Sequence, residues 1–168
     1  MELTIERLSH HHKRQVFHCG NDILDDYLKR QASQHVRKHT TAVFVPRRPE
    51  GLEVPGFCAS CSGSILLADL PANVGRALPR YAVVPTMLLG RLAMDRGLHG
   101  KGLDEILLIN AMGRRPEIDQ VGLALLVVDA KDDSAVAFYR RHRFISLPTM
   151  PRRMFLPRTT IVTDLAEN

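Results

Sequence analysis

Residues 87–108 of the chain read MLLGRLAMDRGLHGKGLDEILL, and this stretch decides the fold. Its first part, Met87–Met94, is an apolar run typical of a strand. A glycine-rich turn follows over residues 97–102, and apolar residues then recur at helical spacing, at Leu103, Ile106, Leu107 and Ala111. At such a junction backbone N–H groups converge, the helix dipole is positive, and glycines allow an anion to approach closely. The stretch therefore predicts a pyrophosphate site where a strand passes into a helix.

The glycine spacing excludes the two commonest nucleotide-binding loops. Glycines at 97, 100 and 102 do not form G-x-G-x-x-G, and Gly102 is followed by Leu103 instead of the Lys-Ser/Thr pair of a P-loop. What remains is x-x-x-G-x-G directly after a strand that ends L-A-M-D. This pattern alone fits a structural loop as well as a ligand loop, so its interpretation depends on the rest of the chain.

Composition indicates a single soluble domain, which we place at residues 1–160 with a tail at 161–168. A chain of 168 residues, 45% hydrophobic and 24% charged, is long enough to build one core. No apolar run approaches the ~20 residues of a membrane helix, and the N-terminus has no signal-peptide core. Three cysteines favour a reducing compartment over a disulfide scaffold. We therefore expect a cytoplasmic protein that does not associate with membranes.

Positive charge is concentrated in two segments. The formal net charge is only +5, but six Lys and Arg lie between Lys29 and Arg48 without an acid, and residues 134–163 also lack acids. Such asymmetry suits a polyanionic partner, although charge alone favours a solvated basic face with no ligand. The run His10–His12 has no Cys or acid nearby, so we interpret it as an exposed linker and predict no metal site.

The remaining periodicity predicts an α/β fold with a mixed sheet. Predicted strands cover residues 1–7, 40–45, 56–67, 87–94, 121–128, 144–147 and 154–156. Predicted helices cover residues 21–36, capped by Asn21, then 103–115, then 133–141, capped by Asp133 or Ser134, with a short helix inside 70–85. The last dozen residues suggest a loose tail. Joining strands 87–94 and 121–128 through a helix predicts that they are parallel neighbours.

Arg91 is a charged residue inside the apolar run 87–94. A charge in such a strand is destabilising unless it is paired. Arg91 is therefore expected either to form a salt bridge with an acid or to point into a polar site.

Several motifs in the chain resemble those of the GNAT N-acetyltransferase superfamily. The glycine loop is similar to its acyl-coenzyme A loop, [QR]-x-x-G-x-[GA]. The segment VVDAKDDSAVAFYRRHRF is similar to its A-x-x-F-Y-x-x-x-G-F helix, with Arg143 in place of the last Gly. FHCGNDILDDYLKRQASQ, LADLP, LPRY and PRRMFLP resemble segments of one subgroup, the GNAT toxins of type II toxin–antitoxin pairs. Those toxins acetylate the α-amine of aminoacyl-tRNA and so stop translation.

The resemblance implies a fold, a co-substrate and partners. The fold is a GNAT-like mixed, mostly antiparallel central sheet flanked by helices, with splayed strands at the acetyl-CoA site. The co-substrate is acetyl-CoA, and the enzyme is an N-acetyltransferase of the acyltransferase class. The partners are aminoacyl-tRNA, a small DNA-binding antitoxin of the ribbon-helix-helix type and a second copy of the chain.

The resemblance also implies which residues carry the reaction. Backbone N–H groups of the loop hold the pyrophosphate, the strand before it pairs with pantetheine, and an N–H near Met94 faces the developing oxyanion. Tyr139 is the expected acid for the departing thiolate, because a phenol can donate a proton as charge builds on sulfur. Expected acetyl-CoA contacts are Leu92, Ala93, Met94, Leu98, His99, Gly100, Lys101, Gly102, Leu103, Ser134 and Phe138. Expected tRNA contacts are Lys29, Arg30, Arg37, Lys38, Arg76, Arg80 and Arg91.

No acid or histidine stands out in the sequence as a general base. This fits an α-amine, which titrates near ~8 and is partly neutral already. Asp129 and His142 are reserve candidates for the role.

Two positions depart from the family pattern inside its central motif. Gly97 stands where the family usually has Arg or Gln, and Asp104 stands where it usually has Gly or Ala. A carboxylate at position 104 would repel a pyrophosphate. Two alternatives therefore stay open: a GNAT enzyme that acts on a small amine or a protein N-terminus, and a degenerate GNAT that binds antitoxin or nucleic acid without turnover.

Overall fold

The described part of the chain, residues 2–113 and 120–161 of a computed structural model, forms a seven-stranded sheet with helices. The strands are β1 (Thr4–Arg7), β2 (Ala42–Arg47), β3 (Gly56–Leu66), β4 (Val83–Met94), β5 (Leu125–Asp129), β6 (Ile145–Ser146) and β7 (Arg153–Pro157). Their order in the sheet is β1-β2-β3-β4-β5-β7-β6. β4 and β5 are parallel, whereas β1–β2, β2–β3, β5–β7 and β6–β7 are antiparallel. The predicted mixed, mostly antiparallel sheet and the predicted parallel pair are confirmed.

The helices are short, and one of them is irregular. They are α1 (Asp22–Asp26), α2 (Ala32–Arg37), α3 (Ala72–Gly75), α4 (Leu103–Met112) and α5 (Asp133–Arg141). A π-helical segment, Tyr27–Gln31, joins α1 to α2. The predicted cap is confirmed, because the Asn21 side chain accepts hydrogen bonds from the N–H groups of Ile23 and Leu24. The helix periodicity gave no indication of the π-helical segment.

The chain divides into two compact units, residues 1–61 with 90–112 and residues 62–89 with 113–168. In the first unit, α1, the π-helical segment and α2 cover an aromatic core. Phe57 lies at its centre, with the Tyr27 ring stacked on it at 5.9 Å and the Phe17 ring edge-on at 5.7 Å. Ala93 of β4 belongs to the same core, so this helical segment packs beside the last residues of that strand.

In the second unit, β5 forms the buried strand that its apolar run predicts. Leu125–Val128 are all at most 2% exposed. Thr86 to Leu89 of β4 pair in parallel with Leu125 to Val128, and β7 pairs on the other side. The core around them contains Ile65, Leu147 and Phe155.

Several predicted boundaries are wrong. β4 begins at Val83 instead of Met87, and β5 begins at Leu125 instead of Val121, whose side chain is solvent-exposed. The cap of α5 is Asp132, whose carboxylate accepts the Ala135 N–H at 2.8 Å. Residues 158–161 are helical where a loose tail was expected, residues 162–168 of the tail lie outside the described residues, and so does the predicted end of the 103–115 helix beyond residue 113.

The histidine run is not a fully exposed linker. His12 is buried, its Nε2 lies 2.8 Å from the Glu6 carboxylate, and its Nδ1 accepts the Ser9 N–H. Within residues 2–113 and 120–161 there is no group of three or more His, Cys, Asp or Glu that could hold a metal ion. The same residues contain no helix long and apolar enough to cross a membrane.

Candidate functional site

The glycine loop has the backbone conformation that its sequence predicts. After β4, Asp95 caps a 3₁₀ turn at Arg96–Leu98 by accepting the Gly97 N–H at 3.0 Å. Gly100 and Gly102 both have φ of +74°, a conformation that other residues seldom adopt, and α4 begins one residue later. The glycines at 100 and 102 are therefore required by the backbone itself.

The loop presents unpaired donors to open space. A Cβ placed on Gly100 or Gly102 would meet no atom within 4 Å. The N–H groups of Gly100, Lys101 and Gly102 donate no hydrogen bond to any residue that the structure describes. Donors of this kind at the N-terminus of a ten-residue helix form a cradle for an anion. The predicted pyrophosphate contacts remain a prediction that this geometry favours.

Hydrogen bonds fix the start of the loop to the rest of the first unit. His99 Nε2 lies 2.9 Å from the Met94 carbonyl oxygen, and the Arg96 N–H donates to the His18 carbonyl at 2.7 Å. The second carboxylate oxygen of Asp95 accepts the His18 N–H at 3.0 Å. Leu98 is buried, so its predicted part in ligand contact would come from its backbone. The loop is thus held in shape without a ligand.

Asp104 places its carboxylate at the N-terminus of α4. Its Oδ1 accepts the Glu105 N–H at 3.0 Å, and its side chain lies in the exposed first turn. A carboxylate here occupies a helix N-terminal donor and adds negative charge beside the anion cradle. The structure thus gives a physical reason to expect weak binding of a phosphate ligand.

A cluster that the sequence analysis missed connects the FHCG segment to α1. Asp25 is buried, and its two oxygens accept the Cys19 N–H at 2.8 Å and contact His18 Nδ1 at 2.7 Å. Burial alone would raise the pKa of Asp25, but hydrogen bonds from the Cys19 backbone and thiol and from His18 outweigh it and lower the pKa below its usual value. Burial and the nearby carboxylate raise the pKa of Cys19 to about 11, so this thiol is protonated at neutral pH.

The Asp25 cluster makes a stability prediction. Since the folded pKa is lowered, ionised Asp25 stabilises the fold above its unfolded pKa, and this contribution disappears as pH falls through the folded value. We expect Asp25→Asn to lower the free energy of unfolding by roughly 2 kcal/mol at pH 7. Urea melts should show this gap unchanged from pH 7 to 5 and shrinking below about pH 4. Asp22→Asn, an exposed carboxylate on the same helix, is the control; equal gaps for both variants would contradict the assignment.

Arg91 does not form the expected salt bridge with any acid of the described residues, and its expected position in a polar site stays a prediction. It is half-buried on β4, and no carboxylate of the described residues lies within ion-pair distance. Its guanidinium carbon instead lies 3.7 Å from the centre of the Tyr27 ring. A cation–π contact between these two residues could not be predicted from the sequence, because Tyr27 is 64 positions earlier.

Tyr139 lies in the second unit, on the inner side of α5. Its side chain is 8% exposed, and its ring packs edge-on against Phe138 at 5.2 Å and Phe144 at 5.4 Å. Ser134 lies in the exposed first turn of α5, and Phe138 is half-buried. Asp129, a reserve base, is held in a two-pronged pair with Arg153 at 2.8 Å, which indicates a structural role.

Comparison with known proteins identifies the family. No family model matches the chain. The chain is 40% identical over 141 residues to a tRNA-acetylating toxin of Mycobacterium tuberculosis, covering 83% of this chain and 82% of the relative. It is also 34% identical over 158 residues to the probable toxin TacT of Sinorhizobium fredii, covering 89% and 87%. The chain belongs to the GNAT toxin family.

Solved structures of GNAT toxins have the same fold. AtaT complexed with acetyl-methionyl-tRNAfMet is 29% identical with a TM-score of 0.89, covering 98% of this chain and 99% of that one. AtaTR bound with acetyl-CoA is 28% identical with a TM-score of 0.83, covering 97% and 98%. A Tyr-to-Phe mutant of AtaT bound to the C-terminus of the antitoxin AtaR is 26% identical with a TM-score of 0.82, covering 100% and 99%. These matches confirm the predicted GNAT fold.

In this GNAT toxin, the basic residues predicted to contact tRNA lie in both units. In the first unit, Lys29 and Arg30 lie in the π-helical segment, Arg37 ends α2, and Lys38 follows it. Arg30 is largely exposed, although it pairs with Asp26 at 3.0 Å, and Arg37 and Lys38 are exposed. In the second unit, Arg76 and Arg80 are exposed on the segment after α3. Their contacts with tRNA stay predictions.

Asp104 gives a prediction about this toxin's affinity for its donor. We expect Asp104→Asn to tighten acetyl-CoA binding about fivefold, because removing the carboxylate near a helix N-terminus gains ~1 kcal/mol toward an anion. Isothermal titration calorimetry of acetyl-CoA measures the change. Asp22→Asn removes the same charge from the first turn of α1 and should leave the affinity unchanged. Equal tightening in both variants would point to net charge rather than to the loop.

Proposed function

We propose that this chain is an acetyl-CoA-dependent N-acetyltransferase toxin that acetylates the α-amine of aminoacyl-tRNA and so blocks translation. One observation carries the proposal: similarity over more than four-fifths of the chain to a tRNA-acetylating toxin. The loop geometry supports it, since two positive-φ glycines leave three N–H groups without a partner in the described residues.

The proposed donor site uses backbone more than side chains. N–H groups of Gly100, Lys101 and Gly102 would hold the pyrophosphate, with Leu98, His99 and Leu103 shaping the loop. The main chain of Leu92–Met94 would pair with the pantetheine arm, where the family's strands splay, and an N–H near Met94 would face the developing oxyanion. Ser134 and Phe138 are proposed as further acetyl-CoA contacts. AtaTR, which is similar to this chain in structure, has been crystallised with acetyl-CoA.

The proposed chemistry is direct transfer. The neutral α-amine attacks the thioester carbonyl, a C–N bond forms, and the C–S bond breaks. The thiolate takes a proton from Tyr139, and Tyr139 recovers the one proton that the nitrogen loses as the amide forms, so no net proton is released. Burial of Tyr139 among aromatic rings supports the role, since it holds the ring in one position.

Basic residues of both units are proposed as the acceptor contacts. Lys29, Arg30, Arg37, Lys38, Arg76, Arg80 and Arg91 are assigned to tRNA phosphates, whose recognition needs positive charge and no base-specific geometry. Removal of any exposed residue of this set should weaken tRNA binding. It should also reduce the slope of the logarithm of the binding constant against the logarithm of salt concentration by about one.

The proposed partners follow from the family. An antitoxin of the ribbon-helix-helix type would neutralise the toxin, in line with AtaT bound to the C-terminus of its antitoxin. We also propose a homodimer, to be checked by light scattering, and a cytoplasmic site of action, where aminoacyl-tRNA is used.

The decisive experiment supplies labelled acetyl-CoA and compares charged with deacylated tRNA. We expect the label to move to charged tRNA only, and to be released with the amino acid when the ester is hydrolysed. Label on a polyamine or an N-terminal peptide, with none on charged tRNA, would favour the small-amine or N-terminus enzyme. Absence of acetyl-CoA binding in calorimetry would favour a degenerate GNAT, the outcome that Asp104 would explain.

A further inference from the structure

We propose that Arg91, which lies over the Tyr27 ring, recognises the phosphodiester next to the aminoacylated end of the tRNA, and that Tyr27 is its positioning residue. The inference rests on the proposed function and assigns one contact within it. It gives Arg91 a phosphate of its own, apart from the contacts proposed for the other basic residues.

The Tyr27 ring holds the Arg91 guanidinium by a close cation–π contact. Its central carbon lies 3.7 Å from the centre of the Tyr27 ring, close enough for a cation–π contact. Tyr27 is 1% exposed and is itself held by Phe57, stacked at 5.9 Å, and by His35, edge-on at 5.4 Å. Arg91 is therefore fixed in orientation before any ligand arrives.

The Arg91 guanidinium has hydrogen-bond donors that no described residue uses. No residue in the described part of the chain accepts a hydrogen bond from Arg91 or pairs with its charge. A guanidinium carries five N–H donors in its plane, and the contact with the ring is no hydrogen bond to an acceptor atom. A half-buried cation without a carboxylate among the described residues is destabilising, and we assign the anion that would pair with it to the substrate. The planar guanidinium can donate two parallel hydrogen bonds to a phosphate, which is a bidentate contact.

The position of Arg91 along β4 separates this anion from the acetyl-CoA phosphates. A strand advances ~3.3 Å per residue, so Met94 lies roughly 10 Å beyond Arg91, and the glycine loop lies farther on. Pantetheine, proposed beside Leu92–Met94, is uncharged. The other substrate, tRNA, carries a phosphodiester at every nucleotide, and its reacting end must reach this part of the strand.

The backbone of Tyr27 is also unusual. It opens the π-helical segment that interrupts the helix between α1 and α2. Such insertions are frequent at functional sites, where they redirect side chains. In this segment Tyr27 and Leu28 are buried, whereas Arg30 is largely exposed. Tyr27 therefore packs in the core and Arg30 lies at the surface.

The test compares acceptors with and without phosphodiesters. A panel of tRNAs, each aminoacylated with a different amino acid, first identifies the amino acid that the wild type acetylates fastest. This amino acid is then supplied esterified to tRNA, to the trinucleotide CCA and to adenosine alone. We expect Arg91→Lys, which keeps the charge but loses the planar fork, to lower kcat/KM about tenfold on the first two acceptors and hardly at all on aminoacyl-adenosine. Arg47→Lys, a half-buried strand arginine paired with Glu6, is the matched control and should behave like wild type.

Tyr27 variants test the positioning role. Tyr27→Phe keeps the ring and should keep the acceptor profile of the wild type. Tyr27→Leu should reproduce the Arg91→Lys profile without changing the KM for acetyl-CoA; if it fails to fold, the Arg91→Lys comparison still decides. Equal losses on all three acceptors, no loss, or a raised KM for acetyl-CoA in Arg91→Lys would overturn the inference. A wild type that acetylates none of the acceptors would instead refute the proposed function.

Discussion

Replacing Tyr139 with Phe is expected to lower kcat for acetyl transfer by about 10²–10⁴-fold, the usual contribution of a positioned proton donor. The reason is chemical rather than structural. Phe keeps the ring that packs against Phe138 and Phe144 but removes the hydroxyl that would protonate the thiolate. Stopped-flow or quenched-flow transfer from labelled acetyl-CoA to charged tRNA measures the effect on the chemical step.

The binding constants distinguish an acid from a merely structural tyrosine. Calorimetry should give the same acetyl-CoA affinity for Tyr139→Phe and wild type, and thermal melts should differ by only a few degrees. Tyr81→Phe removes a hydroxyl from a tyrosine that is 75% exposed, and it should leave kcat unchanged. If Tyr139→Phe retained more than about a third of wild-type kcat, a solvent proton would suffice for the thiolate and Tyr139 would be a core aromatic.

Features that depend on neighbours along the chain could be predicted from the sequence. Short local patterns determine three such features: the Asn21 cap, the positive-φ glycines at 100 and 102, and the buried run Leu125–Val128. The parallel β4–β5 pair also followed, because a helix between two strands requires a crossover. The family motifs added the acyltransferase chemistry, which periodicity alone does not contain.

Features that depend on tertiary contacts could not be predicted in the same way. Arg91 was recognised as anomalous in its strand, but its partner Tyr27 lies in a helical segment 64 positions away. The His18–Asp25 pair depends on a turn of α1 that brings a carboxylate back onto the preceding segment. The burial of His12 likewise depends on Glu6 of β1. In each case the sequence gives the residue type but not its contact partner, because tertiary packing of the side chains determines the partner.

The glycine loop itself makes the last prediction. We expect Gly102→Asn to weaken acetyl-CoA binding about ten- to a hundredfold, because a side chain there displaces one or two charged hydrogen bonds of ~1.5–3 kcal/mol each. Asn is chosen since it adopts positive φ more readily than most residues, so the backbone at +74° is preserved. A Cβ at this position meets no protein atom within 4 Å, so the new side chain starts in open space beside the position proposed for the pyrophosphate. Calorimetry of acetyl-CoA gives the affinity, and thermal melts report the fold.

Gly102→Ala separates blockage from backbone strain. Ala adds only one carbon to the open space but disfavours positive φ by ~1–2 kcal/mol. If the loop binds pyrophosphate, Asn should reduce affinity more than Ala, whereas Ala should reduce the melting temperature more than Asn. Gly122→Asn, at another glycine with open surroundings, should leave the affinity unchanged. Affinity losses that follow the melting temperature instead would mean that the loop is structural and that acetyl-CoA phosphates bind elsewhere.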